Sequence, residues 1–148
     1  MIVFINGAVG AGKTTVAEML VRRLPNSLLF DPEEVGFFLR NVLAPIDKAD
    51  DFQDYALWRS LVVTTATLLR KTYDRTLIMP MALWHNPYFD EIMGGLRHIE
   101  PDLHHFCLTA PVAAIHHRLV TRANRPGDWD RIGAAPSTAS VLSPSFHP

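Results

Sequence analysis

Short apolar runs alternate with longer amphipathic stretches along this chain. Ile2 to Ile5 is continuously apolar and bounded by Asn6-Gly7, which predicts a strand buried on both faces. Val16, Met19, Leu20 and Leu24 then recur at helical spacing until Pro25. Ser27 to Phe30 predicts a second short strand. Asp31-Pro32-Glu33-Glu34 predicts a helix start: a capping acid, proline at the first helical position, acids in the first turn. That helix is expected to end near Pro45. Asp51 to Arg70 predicts one long helix, with Leu57, Leu61, Thr64 and Leu68 on its inner face. Tyr73-Asp74-Arg75 turns the chain into a third strand, Thr76 to Met79. Asn86-Pro87 opens another helix, whose end Gly94-Gly95 is expected to weaken. Leu103 to Leu108 predicts a fourth strand and Pro111 to Ala123 a last helix. After Arg125-Pro126-Gly127 the chain is rich in Gly, Ala, Pro and Ser and predicts no firm structure.

Four strands alternating with helices predict βαβ units, hence an α/β fold with one parallel sheet and helices on both faces. In such a sheet ligands sit beyond the carboxyl ends of the strands. The 148 residues suit one domain, 1–148. Nearly half are hydrophobic and the net charge is −1, which argues against nucleic acid or an acidic membrane as main partner. The single cysteine, Cys107, leaves no disulfide framework and no zinc cluster, so a reducing cytosol is the expected setting. No apolar run approaches the ~18 residues needed to span a bilayer, and Met1 to Ile5 is too short for a secretory leader.

The glycines after the first strand carry the main chemistry. Gly7-Ala8-Val9-Gly10-Ala11-Gly12-Lys13-Thr14 fits the pattern G-x-x-x-x-G-K-[ST]. The glycines let successive backbone N–H groups turn inward toward phosphate oxygens, and the following helix adds its positive end. Lys13 is placed to reach the β- and γ-phosphates, and the Thr14 hydroxyl to meet Mg²⁺. The match lies between a buried strand and an amphipathic helix, the context such a loop requires. The loop does not name a reaction, but the compact chain favours a small-molecule kinase, and no guanine-reading Asn-Lys-x-Asp signature points to a GTPase.

Asp31 stands at the end of strand two, as a helix cap, a base for an attacking hydroxyl, or a Mg²⁺ partner. Strand three ends in Pro80-Met81 with no acid, so a Walker B aspartate is missing from its usual place and Asp31 gains weight. Arg118, Arg122 and Arg125 share one face of the last helix and its exit, either a solvated basic face or part of a lid around 118–137. Phe37, Phe38, Phe52, Tyr55, Trp58, Trp84 and Tyr88 follow strands two and three as core or as acceptor-stacking surface, with Trp84 and His85 the better candidates. His104-His105 and His116-His117 lack metal-site spacing.

Ile5 to Thr14, Asp31-Pro32-Glu33-Glu34-Val35-Gly36 and Asp51-Phe52-Gln53-Asp54-Tyr55-Ala56-Leu57-Trp58-Arg59 together resemble the bacterial tunicamycin-resistance ATP-binding proteins. Pro80-Met81 and His104-His105-Phe106 before the Arg118–Arg122 helix continue the similarity up to about Arg125. The resemblance implies a three-layer P-loop NTPase fold of the nucleoside/nucleotide-kinase type, use of ATP and Mg²⁺, and protection against tunicamycin, by phosphoryl transfer or by ATP-dependent sequestration. Chloramphenicol phosphotransferase and shikimate kinase are similar in layout and less so in local sequence. Members of the family carry a longer C-terminal part with a fifth strand and a last helix. These readings together assign nucleotide contacts to Gly7, Ala8, Val9, Gly10, Ala11, Gly12, Lys13, Thr14, Thr15, Arg122 and Arg125. They assign catalysis to Lys13, Asp31, Arg118 and Arg122, and Mg²⁺ to Thr14 and Asp31. The acceptor, tunicamycin or a uridine-like nucleoside, is assigned to Asp31, Phe37, Phe52, Trp58, Arg59, Met81, Trp84 and His85. A monomer and a homodimer are both compatible with the sequence.

Overall fold

The apolar run at the start of the chain becomes the centre of a parallel sheet. In the computed structural model, which describes residues 1–123, β1 (Ile2–Gly7) is followed by α1 (Lys13–Arg23), β2 (Ser27–Leu29) and α2 (Pro32–Leu43). A 3₁₀ turn (Phe52–Asp54) leads into α3 (Ala56–Tyr73), then β3 (Thr76–Pro80), α4 (Asn86–Ile99), β4 (Leu103–Leu108) and α5 (Val112–Ala123). The strand order is β2-β3-β1-β4, all parallel, with Val3 opposite Ile78 on one side and His104 on the other. The chain forms two units, Met1–Ala110 and a second from Pro111 onward. In the second unit α5 is the described element. Among the described residues no helix is long and apolar enough to cross a membrane.

Alternation along the strands divides the core of the first unit in two. Val3, Ile5 and Ile78 pack with Ala17, Val16 and Leu20 of α1. Ile2, Phe4, Leu77 and Met79 pack with Leu39, Trp58, Val62, Ala66, Ile92, Met93 and Leu96 from α2, α3 and α4. Burying each large side chain contributes roughly 1.5–3 kcal/mol. α1 therefore covers one face of the sheet and α2 to α4 the other, and the phosphate loop lies where β1 emerges between β3 and β4.

Two expectations are corrected. The stretch from Asp51 to Arg70 is not one helix: the Asp51 carboxylate caps the 3₁₀ turn through Gln53 N at 2.9 Å, and Tyr55 is extended before α3 begins. The inner face of α3 also differs from Leu57, Leu61, Thr64 and Leu68: Leu61 is half-buried against the core, and the other three are exposed. Trp58, Val62 and Ala66 are buried instead, one residue out of step, because Trp58 brings the larger volume to the core. Gly94 and Gly95 lie within the last turns of α4, which runs on to Ile99. A Cβ on Gly95 would stand 2.9 Å from the Val63 side chain, so this glycine permits close packing of α4 on α3.

Candidate functional site

The loop from Gly7 to Gly12 turns through three glycines with positive φ: Gly7 at 147°, Gly10 at 84° and Gly12 at 106°. Gly7 has a second constraint, since a Cβ there would lie 2.5 Å from the carbonyl oxygen of Leu108 at the end of β4. The Lys13 side chain is buried inside the loop, its Nζ donating to Gly7 O at 2.8 Å and to Ala8 O at 3.0 Å. Ala11 N closes a turn onto Ala8 O at 3.0 Å. No side chain caps the start of α1 and no acid lies in its first turn. That end is thus positively biased and suited to an anion. Thr14 and Thr15 are exposed on the same turn.

Asn6 was not singled out by sequence reasoning, yet it ties the loop to the next strand end. Its Oδ1 accepts from Gly7 N at 2.8 Å and from Leu83 N at 3.0 Å, and its Nδ2 donates to Leu83 O at 3.0 Å. The available signal is an amide near the end of a strand, directly before the first glycine of the turn. Gln53 acts in parallel. It is buried, and its Nε2 donates to Ala82 O at 3.0 Å. Two amides from distant segments therefore clasp neighbouring residues of the segment between β3 and α4. Gln53 Oε1 and His85 Nδ1 are buried without a hydrogen-bond partner among the described residues.

Asp31 caps α2, with Oδ1 accepting from Glu33 N at 2.9 Å. Burial pushes its carboxyl above the ordinary range. The Glu33 N–H bond opposes this, Glu34 adds to it, and the Lys13 ammonium pulls it back down. Glu33 is raised for related reasons: burial first, then the neighbouring Asp31 charge, again offset by Lys13. The Lys13 charge thus acts in the same direction on both acids, and the sequence pattern marks Glu33 only as a first-turn acid. Among the described residues no group of three His, Cys, Asp or Glu side chains gathers as a metal site. A Mg²⁺ ion here would rest on Thr14, Asp31 and phosphate oxygens, an all-oxygen donor set of the kind this ion takes.

The acceptor-side expectations divide. Trp58 and Met81 lie in the core, and Phe52 is buried between them and α2, so these three do not line an open surface. Trp58 has a positioning role instead: its Nε1 donates to Pro32 O at 3.0 Å and fixes the start of the helix that Asp31 caps. Phe52 packs 5.2 Å from Trp58 and against Gly36, where a Cβ would come within 2.5 Å of its ring. Phe37 is half-buried, edge-on to Phe52 at 6.0 Å. The Arg59 guanidinium binds Glu91 and the carbonyl of Gln53, each at 2.6 Å, and lies 4.2 Å over the Tyr88 ring. It locks the 3₁₀ turn to α4. Trp84 is 73% exposed, whereas His85 is half-buried with its ring tilted against Tyr88 at 4.1 Å, so Trp84 offers the open surface and His85 lies beside it. Arg118 is exposed on α5, Arg122 lies on the same helix, and Arg125 falls outside the described residues.

A strand, a glycine loop enclosing its lysine, and a helix start aimed at the same space define a phosphate-binding loop. The AAA domain family model matches residues 2–135. The chain belongs to this family. Its fold is the P-loop, kinase-like form, which binds nucleotide. The tunicamycin resistance protein of Deinococcus radiodurans is 35% identical, with a TM-score of 0.69 over 80% of this chain and 67% of that one. The resemblance to tunicamycin-resistance ATP-binding proteins read from the motifs therefore holds. A sugar kinase from Janibacter shares the fold at 17% identity and a TM-score of 0.61, over 99% of this chain and 79% of that one. A gluconokinase from Sinorhizobium meliloti does so at 16% and 0.56, over 83% and 65%. No curated protein sequence matches this AAA-domain chain.

Proposed function

We propose that this P-loop protein is an ATP-dependent phosphotransferase acting on a hydroxyl of a small molecule, tunicamycin or a related uridine-type nucleoside. The observation that carries the reading is the phosphate loop closed around its own lysine, with Lys13 Nζ on Gly7 O and Ala8 O, and a half-buried carboxylate, Asp31, standing just past the end of the next strand in the chain. In the proposed reaction the acceptor oxygen attacks the γ-phosphorus while the bond to the β–γ bridging oxygen breaks. The hydroxyl proton passes to Asp31 Oδ2, the oxygen not used by the cap, and ADP leaves. Lys13 follows the charge that moves onto the phosphate oxygens. Mg²⁺, when bound, supplies further neutralisation of that charge. The acceptor is proposed to lie against Trp84, His85 and Phe37. Arg118, Arg122 and Arg125 are proposed to close over the phosphates, and the cytosol is the proposed location.

A second reading, ATP-dependent sequestration of the drug without chemistry, is favoured by the capping bond of Asp31, which gives that carboxylate a structural task. Mass spectrometry of tunicamycin after incubation with the protein and Mg-ATP separates the two. A gain of one phosphate is the expected result. Unmodified drug recovered from a stable ternary complex would instead establish sequestration.

A further inference from the structure

The face of α3 that the core does not use is apolar. Leu57 and Leu68 are 49% and 59% exposed on it, and Leu61, half-buried at the edge of the core, lies between them at helical spacing. α2 presents a matching row, with Phe38 at 60% and Val42 at 55%, continued past the helix by Ile46 at 82%. The two rows adjoin: Glu34, Val35 and Phe38 of α2 and Leu61 and Thr65 of α3 line a shared groove of about 330 Å³. A helix with two apolar faces ordinarily has both covered. Neither the nucleotide loop nor the acceptor segment uses this second face.

We propose that this α2–α3 face is the contact between two copies of the chain, related by a two-fold axis that packs each helix pair against its equivalent. Three features select a second copy. The large side chains on the face leave roughly 500 Å² of apolar surface open, at the upper end of what single chains leave exposed. With a polar rim this approaches the about 800 Å² per partner of a stable interface. The positions between the apolar residues are Asn41, Ser60, Thr64 and Thr65, and the charges at the ends are two acids, Glu34 and Asp47, and two bases, Lys48 and Lys71. A balanced, largely uncharged face meets its own copy without repulsion, and a two-fold pairing uses the same patch twice. An anionic membrane surface would instead call for several lysines or arginines and interfacial tryptophans around the stripe. Here Arg40 lies over Phe52, Arg70 pairs with Glu100, Trp58 is buried and Trp84 lies beyond β3. The rows spaced four residues apart are the ridges that interlock when helices pack.

Sedimentation equilibrium of the full chain over a range of concentrations gives the test, with Phe38→Glu and Leu57→Lys variants alongside. Both positions are exposed, so folding should survive, and ATP binding measured on the same samples verifies it. The expected result is a dimer for the unaltered protein and at least about a hundredfold weaker association for each variant, since each buries two unpaired charges per dimer. A second variant pair, Val42→Asp and Leu68→Lys, covers the event that the first fails to fold. A protein that stays monomeric at all concentrations would overturn the proposal, and so would a dimer that survives all four substitutions. Flotation of a monomer with vesicles containing phosphatidylserine would overturn it in favour of a lipid surface.

Discussion

The phosphate loop and the acceptor-side segments stand at the same edge of the sheet but are built differently. The loop is made from consecutive residues and mostly from backbone: Lys13 reaches back six and five residues to Gly7 O and Ala8 O, and Ala11 bonds Ala8. The proposed acceptor side is assembled by side chains across long separations. Gln53 holds Ala82, Asn6 holds Leu83, Arg59 holds Glu91, and Trp58 holds Pro32. A change in the first region should therefore remove chemistry and spare the fold, whereas a change in the second should displace loops and spare the nucleotide.

The sharpest way to break this contrast is Lys13→Ala. It removes the cation enclosed by the loop, and turnover should fall by roughly 10²–10³-fold, the loss typical of removing one charge-stabilising group from a transition state. ATP affinity should weaken while the melting temperature stays near that of the parent protein. Unchanged turnover would remove Lys13 from the site. Gln53→Leu probes the other region. It leaves the Ala82 carbonyl unpaired at a cost of about 1–3 kcal/mol, and the acceptor KM should rise about tenfold with ATP affinity unaltered. Equal losses for both ligands would show that the two regions are not separable.

Smaller effects refine the picture. Trp84→Ala takes away an exposed stacking surface, for which a loss of about 1 kcal/mol in acceptor affinity is expected. Tryptophan fluorescence that ignores acceptor would return Trp84 to plain surface. Glu100 supplies a control remote from both ligands. The Met1 amino group, then Arg70, hold its carboxyl below the ordinary value of 4.5. Because the folded value is depressed, its contribution is present above pH 4.5 and is lost as pH falls through the lower folded value. Glu100→Gln should lower the melting temperature at neutral pH by a few degrees. The gap between variant and parent should shrink in acid, and a gap independent of pH would contradict the assigned ion pair.

What could be read from the chain follows the same division. The glycine loop, the Asp31-Pro32 cap and the four strands rest on local spacing, and each lies where the pattern placed it. The face of α3 did not, since leucines at 57, 61 and 68 and the Trp58-Val62-Ala66 row both satisfy a helical period. Only the volume of Trp58 and its bond to Pro32 choose between them. The clasping roles of Asn6 and Gln53 need partners 77 and 29 residues away, which periodicity does not encode. The break at Tyr55 was hidden because Asp51 serves as a helix cap in either arrangement.

The central claim is that Asp31 and the phosphate loop act as one phosphoryl-transfer site. Single-turnover transfer of the γ-phosphate to tunicamycin by the Asp31→Asn variant tests it most directly. Asparagine caps a helix about as well as aspartate, so the fold should keep its stability, but it cannot accept the hydroxyl proton. The account predicts an unchanged melting curve with transfer slowed at least about tenfold, a loss of ~1.4 kcal/mol in transition-state stabilisation. Transfer at the parent rate in the stable variant would contradict it and leave Asp31 a helix cap alone.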